Sequence, residues 1–222
     1  MVNAAYTSGV MPVNMKDLNA DFLTISAHKS MASLGPLGFL VTNHKWNKKV
    51  FQTSRILTNW SGRSFGKKIP NIFGCSVGGI PLISAMYSFP YVVERVKKWD
   101  QELENSRWFI HEMEGIGDVM LLGKRPHMHH LLHFETPIFW EISKYHKRRG
   151  FFLAEEMMKR GIVGLHRGLS KHVKLSLYEL RRDEIEKVKE AFCDIVEKYA
   201  KEFKIDRAST EKIVDQREDW QE

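Results

Sequence analysis

The chain has 222 residues, 43% of them hydrophobic and 27% charged, enough for one sizeable core or for a sheet domain with a smaller domain attached. Its 34 Lys and Arg against 27 Asp and Glu leave a net charge of +7, which suits a polyanionic partner such as RNA and equally suits a plain lysine-rich solvated surface. No apolar run approaches the roughly 20 residues of a bilayer span, no signal peptide is expected from Met1–Tyr6, and Cys75 and Cys193 sit in neither metal-ligand nor disulfide-framework spacing; a cytoplasmic protein is expected.

Val2 to Tyr6 reads as the end of a strand, followed by the turn-rich Thr7-Ser8-Gly9. A strand at the very start suggests a truncated chain or one half of a split protein. Met15 to Asn19 suits one helical turn. Asp21 to Ser26 is a short buried strand rich in branched and aromatic residues. Ala27-His28-Lys29-Ser30 is a tight polar stretch, Gly35-Pro36 a turn, and Leu37 to Thr42 a second apolar strand. Residues 43 to 54 are polar and predicted helical. Residues 58 to 70 read as a long loop.

A helix is predicted from about Gly79 to Ser88, interrupted by Phe89-Pro90. A long helix then runs from Tyr91 to Gly115, with Val92, Val96, Trp99, Leu103, Ile110 and Met113 on one face. Val119 to Leu122 and His130 to Glu135 read as strands, Pro137 to Lys147 and Phe151 to Arg160 as helices, and Val173 to Leu177 as a strand. Asp183 is the expected N-cap of a last helix whose face is Ile185, Val188, Phe192, Ile195 and Tyr199. The expected organisation is an α/β sheet domain's end at 1–90, a connecting helix at 91–116, a small α+β domain at 117–204, and a polar, poorly ordered tail at 205–222.

One short segment carries chemistry. A lysine just past a buried strand places its amine in a cleft, where it can form a Schiff base with an aldehyde cofactor. Ser26 and His28 beside it are hydrogen-bonding groups for a phosphate. Alone, this pattern is weak, because most lysines are solvated.

The segment Asp21 to Gly38, reading Asp-Phe-Leu-Thr-Ile-Ser-Ala-His-Lys-Ser-Met-Ala-Ser-Leu-Gly-Pro-Leu-Gly, resembles the cofactor-lysine segment of the O-phosphoseryl-tRNA:cysteinyl-tRNA synthase family of archaea. The resemblance extends through Asn3-Ala4-Ala5-Tyr6, Met11-Pro12-Val13, Phe73-Gly74-Cys75, Ser88-Phe89-Pro90, Arg95 to Asp100, Pro126 to His129, Gly150 to Leu153 and Lys174 to Tyr178. These pieces keep their order to about residue 204.

The resemblance implies an α/β protein of the pyridoxal phosphate (PLP)-dependent transferase fold type I, aspartate-aminotransferase-like, with a partial large domain and a small α+β C-terminal domain. It implies PLP as cofactor and Lys29 as the Schiff-base lysine. Ser26, Ala27 and His28 would line the cofactor phosphate, and Asn3 would contact the ring. Cys75 would handle sulfur, a persulfide being one form it could carry. The implied reaction eliminates phosphate from phosphoserine on tRNA(Cys) and adds sulfur from a donor. The implied partners are that tRNA, phosphoseryl-tRNA synthetase, the sulfur donor and a second copy in a homodimer.

The chain departs from the family in three places. The N-terminal half of the large domain is absent, with its ring-stacking group and further sulfur-relay cysteines. The run Cys75-Ser76-Val77-Gly78-Gly79 lacks an arginine, and Lys171 stands where the family has arginine. Lysine keeps the charge and loses the bidentate fork. A degenerate paralogue that binds tRNA or a partner, and a cysteine-desulfurase-like enzyme of a free amino acid, are the alternatives; Lys171 argues against the second.

Other features have plainer readings. His127, His129, His130 and His133 suit a polar domain edge better than a metal site, since nothing completes a ligand set. Cys193 reads as structural. The run Lys144 to Arg149 reads as a solvated patch that could also touch tRNA backbone.

Overall fold

The computed structural model describes residues 1–53, 68–70 and 78–205. The chain divides into two units, Met1–Trp99 and Asp100–Glu222. Cys75, most of the 58–70 loop and the tail after Ile205 lie outside the described residues.

In the first unit, branched and aromatic residues favour extended backbone. Strand β2 (Phe22–Ser26) lies between β1 (Val2–Asn3) and β3 (Gly38–Thr42). It runs parallel to β1 and antiparallel to β3, with Leu23 opposite both Val2 and Val41. After a 3-10 turn at His44–Trp46, helix α1 (Asn47–Val50) is short. The polar stretch expected to be helical to 54 turns extended at Phe51, and β4 (Phe51–Thr53) pairs antiparallel with β5 (Lys68–Pro70).

Helix α2 (Gly79–Val96) corrects a second expectation: Pro90 sits inside it and does not end it. Proline removes one N–H and crowds one turn, a local defect that an otherwise intact helix can carry. The break comes later. The Lys97 and Lys98 amides bond only three residues back, to the Glu94 and Arg95 carbonyls at 3.3 and 2.9 Å. Such i→i−3 bonds tighten and stop an α-helix. Helix α3 (Trp99–Glu114) then starts anew, so the single long helix expected from Tyr91 is two. Ala85 and Val92 of α2 pack with Ala27 and Met31 to form the unit's small core, bordered by Ile25, Leu37 and Phe39.

The second unit has an antiparallel sheet with β7 (Leu131–Glu135) between β6 (Met120–Leu121) and β8 (His172–Ser176). Leu132 and Phe134 of β7 and Val173 of β8 are buried, the alternation expected when one sheet face is covered. Helices α4 (Pro137–Tyr145), α5 (Phe152–Lys159) and α6 (Arg182–Phe203) supply the rest of a large core with α3. Phe139 and Phe192 meet edge to face at 5.5 Å.

The α6 face is as the periodicity predicts, with Ile185, Phe192, Ile195 and Tyr199 buried. Its N-cap is Arg181 and not Asp183. The Arg181 amide donates to the Glu184 carboxylate at 2.8 Å, so the glutamate three residues on sets the helix start. Asp183 falls in the first turn, where it accepts from the Arg181 guanidinium at 3.1 Å. Among the described residues, no helix is long and apolar enough to cross a membrane.

Candidate active site

The segment after β2 is built from two consecutive turns. The Lys29 amide donates to the Ser26 carbonyl at 3.2 Å, and the Ala32 amide to the Lys29 carbonyl at 3.1 Å. The Ser33 amide closes the loop on the Ala27 carbonyl at 2.9 Å. The second turn requires a left-handed residue, and Ala32 takes φ +55. Ala27 is fully buried beneath the loop, while His28 and Lys29 are exposed.

Three hydroxyls pin this loop from the sides. Ser30 donates to the Tyr6 carbonyl at 2.6 Å, Ser33 to the Pro81 carbonyl at 2.9 Å, and Ser88 to the Met31 carbonyl at 2.6 Å. Buried Arg95 of α2 donates to the Gly9 and Val10 carbonyls at 2.5 and 3.3 Å. Gly9 has φ +87, and a Cβ there would meet the Ser30 carbonyl oxygen at 3.0 Å. Lys29 therefore projects from a loop held by β1's exit, by α2 and by its own turns. Such support fixes a functional side chain better than a free loop does. Sequence reasoning missed these anchors. Hydroxyl-to-carbonyl bonds across long separations leave no local pattern; the one available signal is Arg95, which with Glu94 is a charge in a largely apolar helix.

The structure places the predicted residues as follows. Ser26 is the half-buried last residue of β2. Asn3 is exposed at the end of β1, paired with Thr24, two residues before Ser26. Its side chain accepts the Ala5 amide at 3.0 Å. Asn3, Ser26, His28 and Lys29 thus gather at the carboxyl ends of two parallel strands, where open α/β sheets bind ligands. An amine, a hydroxyl, an imidazole and a small buried residue fit a group with an aldehyde and a phosphate. Cys75 is outside the described residues.

In the second unit the His129 and His130 rings lie 4.6 Å apart, and the histidines each have their own partners. His127 Nε2 lies 2.9 Å from the Leu131 carbonyl, and His129 Nδ1 accepts the Leu131 amide at 3.0 Å. His130 is fully buried, 3.7 Å from Glu102. His133 faces His172 of the neighbouring strand, ring centres 5.6 Å apart. Desolvation and the nearby Lys174 and His172 charges push the His133 imidazole below its ordinary value. In the basic run, Lys144 pairs with Glu141 and Arg148 with Glu155, which leaves Lys147 and Arg149 exposed without those carboxylates. Lys171 is exposed just before β8, and its carbonyl accepts the Thr136 amide at 2.8 Å. Cys193 is a half-buried free thiol whose burial pushes its pKa up.

Comparison with known proteins gives a consistent picture. Residues 1–200 match the family model described as O-phosphoseryl-tRNA(Sec) selenium transferase, SepSecS. O-phospho-L-seryl-tRNA:Cys-tRNA synthase 2 of Archaeoglobus fulgidus is 49% identical over 203 residues, 91% of this chain and 52% of the relative. The synthase of Methanocaldococcus jannaschii is 44% identical over 197 residues, 89% of this chain and 50% of the relative. The chain thus spans about half the length of the curated relatives it matches. Among solved structures, a SepCysS–SepCysE N-terminal domain complex superposes with a TM-score of 0.77 at 44% identity, covering 88% of this chain and 50% of that one. A cysteine desulfurase from Thermococcus onnurineus superposes with a TM-score of 0.64 at 18% identity, covering 88% and 52%; it bears on the fold alone. The fold is that of the PLP-dependent fold-type-I enzymes.

Proposed function

The chain belongs to the O-phosphoseryl-tRNA(Sec) selenium transferase family, and from that premise we propose that it is the lysine-bearing half of a PLP-dependent enzyme converting O-phosphoseryl-tRNA(Cys) to cysteinyl-tRNA(Cys). The observation that carries this is Lys29, exposed on a loop pinned beyond the carboxyl end of a strand with a parallel neighbour. Residues 1–90 would belong to the cofactor-binding domain and 117–204 to the small domain, in a cytoplasmic homodimer that takes sulfur from a separate donor. Phosphoseryl-tRNA synthetase would deliver the charged tRNA.

When bound, the cofactor supplies an electron sink for charge developing at the substrate α-carbon. The chain's own groups would supply part of the rest. Lys29 Nζ would hold the cofactor aldehyde and, as a free amine, would move the α-proton. Ser26 and His28 orient the phosphate, and Ala27 allows its close approach. Asn3 would contact the ring as an amide, a weaker partner for a ring nitrogen than a carboxylate. Cys75 would carry sulfur to the site. The net charge of +7 supports a tRNA substrate, since phosphate neutralisation dominates such affinity.

The test is borohydride trapping of added PLP, followed by peptide mass spectrometry, beside Lys29→Ala. A pyridoxyl adduct on Lys29, absent from the variant, is the expected result. Labelling spread equally over surface lysines in both proteins would refute it. The half-length match favours one second reading, a subunit that binds tRNA or a partner without catalysis, and that second result would leave it standing.

A further inference from the structure

Helix α2 is apolar on every side. Its buried face carries Ala85 and Val92. The opposite faces carry Ile80, Ile83, Met86, Tyr87, Phe89 and Tyr91, each between 52% and 74% exposed. Its only charged residues, Glu94 and Arg95, stand at its last turn. A surface helix keeps one polar face, and a helix apolar all round is a buried helix. A patch of this kind marks a contact surface.

We propose that the outward face of α2 docks the half of the family's fold that this chain does not span. Two observations select that occupant. The relatives carry roughly twice the matched length, with 50–52% of each covered. The match runs over residues 1–200 and so includes α2 itself, and the relatives extend beyond the matched stretch in the same polypeptide. A surface uncharged across its exposed turns also fits a permanent interior contact, which is more apolar than a transient one. This inference rests on family membership and not on the cofactor reading.

The experiment mixes the full chain with a polypeptide comprising the part of the Archaeoglobus fulgidus synthase outside the match. Light scattering gives the stoichiometry and amide hydrogen exchange the contact. The same half fused upstream serves as the high-concentration arm. The expected result is a one-to-one complex with α2 amides slowed at least tenfold. Ile83→Lys with Tyr87→Lys should abolish both effects while leaving the circular dichroism of the chain unchanged, because both positions are exposed. The proposal is overturned if α2 stays unprotected in the fusion, if the lysine variants bind equally well, or if the chain pairs with itself through α2 and the added half does not displace it. Complex formation without a Lys29 adduct would sink the catalytic reading and keep this one.

Discussion

Glu156 is a charge in a place that disfavours charge. Its side chain is 3% exposed. Burial pushes its carboxyl up, but hydrogen bonds from Lys159, Arg160 and Tyr199 and the charge of Lys198 outweigh that and hold it down at about 2. Lys159 lies at 2.5 Å, Arg160 at 3.0 Å and Lys198 at 3.5 Å, so one carboxylate ties α5 to α6. Its folded pKa is below the ordinary 4.5. The stabilisation is therefore fully present above the ordinary value and is lost as pH falls toward 2. Glu156→Gln should cost about 2 kcal/mol at neutral pH, with the gap to wild type closing below pH ~4; urea titrations at both pH values check this. At Gly9 the constraint is steric. Gly9→Ala combines a positive φ with a close carbonyl oxygen, and should destabilise the first unit by about 1–2 kcal/mol. Because that oxygen belongs to Ser30, the same variant should slow PLP trapping at Lys29 by several-fold; an unchanged rate would mean that the loop is not held from this side. Lys29 is singled out by the family resemblance of its segment, since a strand, a small residue and a lysine in a row are by themselves a weak pattern. The anchoring bonds of Ser30, Ser33 and Ser88 were not legible in the sequence, because their carbonyl partners lie 24, 48 and 57 residues away.

At the scale of elements, the strands were legible wherever an apolar run was short and bounded. Phe22–Ser26, Gly38–Thr42 and Leu131–Glu135 fall within a residue of expectation. The helix limits were not. Pro90 looks like a breaker, yet one missing donor is a modest loss in an 18-residue helix. The true break at Lys97-Lys98 has no breaker residue at all; two lysines of good helix propensity stand where the bonding shortens to three residues. Asp183 was chosen as a cap by residue type, whereas the cap depends on which carboxylate reaches the free amide, and that is Glu184. The other end of α6 gives a third prediction. Lys204 closes the helix in the left-handed region at φ +53, a conformation that costs a side-chain residue about 1 kcal/mol. Lys204→Gly should raise stability by about 0.5–1 kcal/mol, read as a higher thermal midpoint; a lower midpoint would show that the lysine makes compensating contacts.

At the scale of the whole molecule, the two units are unequally built. Among the described residues, the first has one small core cluster of Ala27, Met31, Ala85 and Val92. The second has a continuous core from Phe109 to Tyr199 that includes five fully buried phenylalanines: Phe109, Phe134, Phe139, Phe152 and Phe192. Residues 100–205 made alone should unfold cooperatively, and Phe192→Ala should lower their stability by about 3–5 kcal/mol. Residues 1–99 made alone should show no cooperative transition. A broad, gradual melt of the 100–205 fragment would contradict the division. The half-buried Cys193 thiol has a separate practical consequence. The chain has two cysteines, and burial keeps this one protonated near neutral pH, where protonated thiols alkylate slowly. A maleimide probe applied briefly at neutral pH should leave Cys193 largely unlabelled, and rapid labelling there, read by peptide mass spectrometry, would contradict its burial.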